Sequence, residues 1–421
     1  MKKVLIIAYD FNPNSHIGSL RIKGLAKYLP KYGWETFILT TKNSIVDPEF
    51  KIICTHYDDV INCWKSRFGL RSGSVKRQLG IKTKKNKKTF ADYILNLASE
   101  VIAYPDAQKG WYNYAVEAGN EIIEKEGIDA IISSSKPETS HLIAREFRIK
   151  YKIPWVADMR DLWTQNHYAE HTIMRKIFER KLEIDVLSKA DSLVTVSTDL
   201  SERLRKIHRY KKIHSISNGF DPDDMHINNK LTNKFTITYT GSLYSGKRDP
   251  SKLFEALEEL LPITIRPEDI EIRFYGPEEE WLNQEIEYYS LSKIAYNLGK
   301  ISRETSLEKQ MESQILLLLL WNHPKETGVF TGKIFEYLAA QRPILAIGGP
   351  NGVVKDLLEE TGAGKYATSA TEIKEILKNY YYEYKINRCV NYCGKSEIIN
   401  NYSQEKMAKK FSDILYKLVN E

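Results

Sequence analysis

Nine short apolar runs, separated by stretches of helical periodicity, constrain this chain more than any other feature. Five lie in its first half: Val4–Ala8, Thr36–Thr40, Ala130–Ser133, Trp155–Ala157 and Ser192–Val196. Four lie in its second half: Thr236–Tyr239, Ile270–Tyr275, Ile315–Trp321 and Ile344–Ile347. Several are unbroken, as in parallel strands covered on both faces. Ile315–Trp321 is the clearest, and it is far short of the roughly 20 residues a membrane-spanning helix needs. Helical spacing appears at Ile22–Tyr32, Trp111–Lys125, Ser140–Tyr151, Ile173–Lys189, Pro250–Leu261 and Lys333–Ala340. Such alternation predicts an α/β chain with doubly wound parallel sheets. The pattern restarts once. Ser217-Asn218-Gly219-Phe220-Asp221-Pro222 is turn chemistry. A polar stretch, Asp223 to Lys234, follows, and a fresh strand begins at Phe235. The expected division is therefore 1–220, 221–400 and an amphipathic C-terminal helix within 401–421. Two domains of this kind facing one another would leave a cleft, with ligands at the C-terminal ends of the strands.

With 421 residues, 42% hydrophobic and 28% charged, the chain has ample core for two or three domains. The start, MKKVLIIAYDFNPN, has too short an apolar run for a signal peptide and is read as a buried strand. Cys54, Cys63, Cys389 and Cys393 fit neither a disulfide framework nor a zinc site. A reducing, cytoplasmic compartment is expected. The net charge of +7 is unevenly spread. From Lys65 to Lys88 there are ten basic residues and no acid. A solvated loop is the plain reading of this run. An anionic membrane is the sharper one, with Trp64 and Phe68 as interfacial contacts and the protein peripheral on the inner face of the cell membrane. Nucleic acid is disfavoured because no nucleic-acid motif accompanies the run.

Glu326–Gly349 carries the most chemistry. Thr331-Gly332-Lys333 stands directly before an apolar helix containing one acid, Glu336. A glycine turn, a lysine and a helix N-terminus together favour a phosphorylated ligand. Glu336 cannot serve the phosphate, and a sugar hydroxyl suits it better. No Gly-x-Gly-x-x-Gly follows any strand, which argues against a dinucleotide oxidoreductase.

Four segments agree in order and spacing: Asn12–Ser19, Ile216–Asp221, Tyr239–Leu243 with Lys247-Arg248, and Glu326–Gly349. Together they resemble the retaining GT-B glycosyltransferases of family GT4, and the resemblance spans essentially the whole chain. Pro105-Asp106, Trp111, Lys136-Pro137 and Trp155–Trp163 look like a subgroup from bacterial surface-polysaccharide clusters. The resemblance implies two Rossmann-like domains and a last helix that crosses back onto the N-terminal one. It implies a UDP-, GDP- or dTDP-sugar held mainly by the C-terminal domain. It also implies a glycan or polyprenyl-linked glycan acceptor held mainly by the N-terminal domain, and no metal or other cofactor. Asp221-Pro222-Asp223-Asp224 contains a metal-like spacing but reads better as turn and cap chemistry.

Residue by residue, the resemblance places Lys247 and Arg248 beside the departing diphosphate, after the turn at Gly241 and Ser242. Ser242 stands where the family often has arginine, so Lys333, with Thr331 and Gly332, is the expected substitute. Glu336 matches the ribose-binding glutamate. The family's other glutamate, eight positions earlier, is here Gly328, and Glu326 lies two residues too early. Glu326 is carried as a candidate contact to the reacting sugar, with the backbone of Gly328, Val329 and Phe330 beside it. Arg160 stands where many members have histidine; an arginine stays charged and cannot be a base. Asp161 and Asp158 are then candidates for acceptor positioning or proton removal, against a structural ion pair among these residues. Gly18 and Ser19 open the first helix near donor phosphate and acceptor, and Arg21 in its first turn suggests a nearby anion. Ser197 and Asn218 are expected on the cleft floor, and Tyr275 beside the base. His141 reads as a core histidine. Two other readings stay open: a nucleotide-sugar 2-epimerase of the same shape, and a catalytically impaired nucleotide-sugar-binding protein.

Overall fold

All nine apolar runs form strands, and every strand pairing is parallel. The computed structural model describes residues 1–11, 17–41, 47–60, 62–63, 100–169, 171–226, 230–261 and 263–421. The basic run at 65–88 lies outside the described residues, as do Trp64, Phe68 and residues 12–16.

Two compact units account for the chain: Met1–Ser217 with Gln404–Glu421, and Asn218–Ser403. In the first, β1 (Lys2–Ile7), β2 (Trp34–Thr41), β3 (Lys51–Thr55), β4 (Ala130–Ser134), β5 (Trp155–Met159), β6 (Ser192–Thr195) and β7 (Lys212–Ser215) lie in the order β3-β2-β1-β4-β5-β6-β7. Its helices are α1 (Ile17–Tyr28), α2 (Tyr112–Glu126), α3 (Thr139–Tyr151), α4 (Ile173–Leu187) and α5 (Thr198–Arg205). In the second, β8 (Phe235–Thr240), β9 (Ile270–Tyr275), β10 (Ala295–Asn297), β11 (Ile315–Leu319), β12 (Ile344–Ile347) and β13 (Gly364–Ala367) lie in the order β10-β9-β8-β11-β12-β13. Its helices are α6 (Ser251–Leu260), α7 (Glu280–Tyr288), α8 (Arg303–Met311), α9 (Lys333–Ala340), α10 (Val353–Thr361) and α11 (Ala370–Asn387), with a single turn at Ser396–Ile399. Each sheet has an apolar cluster on both faces. That is why the central strands read as continuous hydrophobic runs.

The last helix, α12 (Gln404–Asn420), belongs to the first unit. Met407, Phe411 and Leu415 recur at one-turn spacing and share a core with Ile22, Leu25 and Tyr28 of α1 and Trp34 of β2. A Cβ at Gly24 would overlap the Gln404 side chain, so glycine lets α1 and α12 approach closely.

Arg21 and Asp158 form a fully buried ion pair in this unit, Nε to Oδ2 at 2.9 Å and Nη2 to Oδ1 at 2.8 Å. The anion expected beside Arg21 is therefore Asp158 itself. Ser134 also donates to Asp158 at 3.0 Å, and Arg21 donates to the Ser217 carbonyl at 3.1 Å. Asp158 has no solvent access, which removes it from the acceptor-positioning candidates. Asp158→Ala should cost about 3–5 kcal/mol, because it leaves a buried guanidinium uncompensated. Urea unfolding followed by circular dichroism checks this.

His141 is buried, as its sequence context suggests, with Nδ1 2.7 Å from the Ser133 hydroxyl. Burial pushes its pKa down to about 4, against a smaller opposing pull from Asp158. The unfolded chain thus binds this proton more readily. The stability contribution is present above about pH 6.5 and is lost as pH falls toward 4. The folded chain should lose on the order of 3 kcal/mol over that window from this group. His141→Gln should flatten that part of the stability–pH curve in denaturant titrations.

Candidate functional site

The second sheet reverses its winding between β8 and β11: β9 and β10 lie on one side of β8, and β12 and β13 on the far side of β11. Ligands of open α/β sheets bind outside the C-terminal strand ends at such a point. The candidate residues of this unit gather there.

β8 ends in Thr240 and turns at Gly241, whose φ of 132° suits glycine. Its amide donates to the Tyr275 carbonyl at 2.7 Å. A Cβ on Gly276 would collide with the Gly241 carbonyl, so the β8 and β9 turns pack backbone to backbone. Tyr275 is buried behind this contact, and burial raises its phenol pKa. Ser242 is held by its own backbone, its carbonyl accepting from the Tyr239 hydroxyl at 2.7 Å.

Helix α9 begins at Lys333, after Gly332, with the Thr331 hydroxyl accepting from the Lys333 amide at 3.2 Å. The Lys333 side chain lies against Gly241, its Cε 3.4 Å from where a Cβ there would sit. Its ammonium reaches Glu336 at 2.8 Å. Arg303, from the start of α8, reaches the other Glu336 oxygen at 3.2 Å and Asp224 at 2.7 Å. Gln310 donates to Glu336 at 3.3 Å and to the Thr240 hydroxyl at 3.1 Å. Burial alone would raise the Glu336 pKa. Lys333 and Arg303 outweigh it and hold the carboxyl below its ordinary range. Glu336 is therefore an ionised acceptor, 14% exposed, fixed by side chains from two helices.

Lys247 lies with its ammonium 4.4 Å from the centroid of the Trp321 ring, and Trp321 stacks on His323 at 4.6 Å and 25°. The Arg248 guanidinium lies 4.6 Å from the Tyr244 ring centroid. His323 Nδ1 accepts from the Lys325 amide at 3.2 Å and caps the helical turn Pro324–Gly328. That turn carries Glu326 and ends on buried Gly328, with the Val329 amide donating to the Glu326 carbonyl at 3.0 Å. Gly352 packs against the Thr327 backbone so closely that no Cβ fits. Phe330 meets Phe335 edge to face at 5.6 Å.

The structure thus brings Gly241, Lys333 and Glu336 together, and links Lys247 through Trp321 and His323 to the turn of Glu326 and Gly328. In the first unit it gathers Gly18, Arg160 and Asp161. A Cβ on Gly18 would fall on the Arg160 guanidinium, and Arg160 Nε is 3.7 Å from Asp161. The ion pair considered for this triplet exists, but Asp158 takes Arg21 as its partner and leaves Asp161 to Arg160. Ser197 caps α5 by accepting from the Leu200 amide at 3.3 Å. Asn218 falls in the second unit.

Sequence reasoning missed Arg303, Gln310, Trp321 and His323. Ser302 caps α8 with Arg303 next, and Gln310 lies two turns further along the same helix. That spacing was the available signal. Asp224 was read as turn chemistry and instead anchors Arg303. Among the described residues, no group of three or more His, Cys, Asp or Glu side chains is placed to hold a metal ion. No described helix is long and apolar enough to cross a membrane.

Two doubly wound parallel sheets, with the last helix returned to the first unit, make the GT-B architecture of glycosyltransferases. Residues 20–224 match the family model Glycosyltransferase Family 4. Sucrose-phosphate synthase from Thermosynechococcus elongatus is similar in structure, with a TM-score of 0.64 at 13% identity over 99% of both chains. HepE from Anabaena, solved in complex with UDP-glucose, has a TM-score of 0.60 at 12% identity over 99% of this chain and 100% of its own. TarM has a TM-score of 0.54 at 12% identity over 99% of both. At such identities these likenesses establish the fold. The sequence matches no curated protein at a significant level.

Proposed function

We propose that this glycosyltransferase moves a sugar from a nucleoside-diphosphate sugar to a hydroxyl of a lipid-linked or growing polysaccharide acceptor, with retention of configuration. The carrying observation is the Lys333–Glu336–Arg303 chain at the C-terminal edge of β8 and β11. An ionised carboxylate accepts from two ribose hydroxyls at once. Lys333, beside the helix N-terminus and the Gly241 turn, meets the diphosphate. Breaking the glycosyl–phosphate bond builds negative charge on that group. Fixed cations and N–H dipoles aimed at it supply the largest catalytic effect. Lys247 and Arg248 add to that set, and positive side chains take the place a metal would otherwise fill. Glu326 and the Gly328–Phe330 backbone line the sugar end, Tyr275 the base end. In the first unit, Gly18, Arg160 and Asp161 form the acceptor side, with Asp161 the group able to take a proton.

UDP is the first donor base to test, because HepE is solved with UDP-glucose. A surface-polymer acceptor suits the basic run at 65–88 and the subgroup motifs. WaaG, a glycosyltransferase of lipopolysaccharide biosynthesis, is also similar in structure, with a TM-score of 0.50 at 12% identity over 99% of this chain and 97% of its own.

The test is proton NMR of reactions with UDP-, GDP- and dTDP-sugars and a polyprenyl-linked glycan. One donor should yield a product whose new linkage keeps the donor's anomeric configuration. Absence of transfer or hydrolysis with every donor would overturn the reading. Isomerisation of the free donor without acceptor would point to an epimerase instead.

A further inference from the structure

The N-terminal half of helix α4 is turned inside out, while Val186 and Leu187 at its other end enter the core. Its acids Glu179 and Glu183 are buried, and its large apolar residues Ile173, Met174, Ile177 and Phe178 are exposed, at 78%, 70%, 52% and 54%. A water-facing helix does the reverse. These four side chains, with Ile184 further along, follow i, i+1, i+4, i+5 spacing and form one outward stripe. Val101, 70% exposed, belongs to a segment tied to the same helix.

The inverted face is firmly anchored. Arg175 pairs with Glu179 at 2.7 Å and donates to the carbonyls of Glu100, Ala103 and Pro105. Glu183 accepts from the Thr164 hydroxyl and approaches His208 Nε2 at 3.4 Å. With both acids occupied inward, the charges left on the outward side are mainly positive. Lys176 and Lys181 are exposed, and Arg180, half-exposed, reaches back to Glu183 at 3.7 Å. Asp185, the exposed acid of this helix, is paired with Arg145 at 2.6 Å.

We infer that the outer face of α4 is a docking surface for an anionic lipid bilayer. Apolar side chains standing outward among lysines match an interface in which methylenes meet acyl chains and ammonium groups meet headgroup phosphates. The same composition disfavours a second copy of the chain, because two such faces would bury Lys176 and Lys181 together in an apolar patch whose exposed acid, Asp185, is already paired with Arg145. The sequence adds a separate indication: Glu100, which Arg175 grips, stands twelve residues after the basic run that ends at Lys88. This inference localises the lipid-linked part of the proposed function and rests on that reading for its biological sense. Its test requires no enzymatic activity.

The test is co-sedimentation of the full chain with phosphatidylcholine vesicles containing anionic phosphatidylglycerol, whose negative surface potential attracts basic side chains. Three proteins are compared: wild type, the α4 variant I173S/M174S/I177S/F178S, and a basic-run variant with Lys84, Lys85, Lys87 and Lys88 changed to Ser. The wild type should sediment with anionic vesicles and not with pure phosphatidylcholine. The α4 variant should lose at least tenfold in partitioning while keeping the wild-type melting temperature. Retained vesicle binding by the α4 variant overturns the inference, whatever the basic-run variant does. A melting temperature lowered by several degrees overturns it too, since the face would then be covered by the chain's own residues. So does a wild-type dimer, seen by light scattering, that the four substitutions convert to monomer without changing vesicle binding. Failure of the NMR assay together with intact α4-dependent sedimentation would reject the transfer reaction and leave the surface standing.

Discussion

Glu336→Ala should weaken donor binding by about 100- to 1000-fold while leaving the circular dichroism spectrum unchanged. The carboxylate is the acceptor on which Lys333, Arg303 and Gln310 converge. Hydrogen bonds to a charged group contribute about 1.5–3 kcal/mol each. Two ribose hydroxyls lost together, each near the lower end of that range, therefore account for about 3–4 kcal/mol. The substitution also frees Lys333 and Arg303, which retain 23% and 27% exposure. Water can reach both cations, so the fold should survive their release. Glu336→Gln keeps the shape and an acceptor oxygen but loses the charge, and it should fall between the two. The ratio of KM to kcat effects, measured at saturating and limiting donor, separates binding from chemistry.

Lys247→Ala should act mainly on kcat, lowering it by about 100- to 1000-fold with a smaller change in KM. Removing one preoriented donor from a developing anion typically costs about 2.7–4 kcal/mol of transition-state stabilisation. Lys247 is preoriented by the Trp321 ring, which His323 backs by stacking. A cation over an aromatic face gains about 0.5–2 kcal/mol. Trp321→Leu should therefore reproduce part of the defect, roughly tenfold, and Trp321→Phe should restore most of it. An unchanged kcat in Lys247→Ala would remove this lysine from the leaving-group side. Lys333 and the α9 N-terminus would then be left to carry it.

The central strands were legible because two-sided burial writes itself into sequence as an unbroken apolar run. The four strands not anticipated are β3, β7, β10 and β13, the edges of the two sheets. Their side chains are partly exposed, as in Lys51–Thr55 and Gly364–Ala367, so their patterns do not separate from loops. Helix α9 was legible to the residue, since its apolar face is buried around a single acid. Helices such as α7 and α8 were not, because their sequences, EWLNQEIEY and RETSLEKQM, carry few apolar residues among many polar ones.

At the candidate site, Glu336 and Lys333 stood out because they lie three residues apart on one helix. Arg303, Asp224 and Trp321 did not, because they reach their partners through tertiary contacts 33, 79 and 74 positions away. Arg21 shows the limit of local reasoning from the other side. Its expected position in the first helical turn suggests a nearby anion, but the helix begins a turn earlier, at Ile17, and the anion is a core carboxylate 137 residues away.

In the proposed function, the C-terminal edge of β8 and β11 binds a nucleoside diphosphate through Glu336 and the cations around it. The most direct test is calorimetric titration of UDP, GDP and dTDP into the wild type and into Glu336→Ala. One nucleotide should bind the wild type with a measurable heat and one-to-one stoichiometry, and the same titration of Glu336→Ala should be flat at equal concentrations. Equal binding of that nucleotide to both proteins, or binding of none of the three to the wild type, would contradict the account.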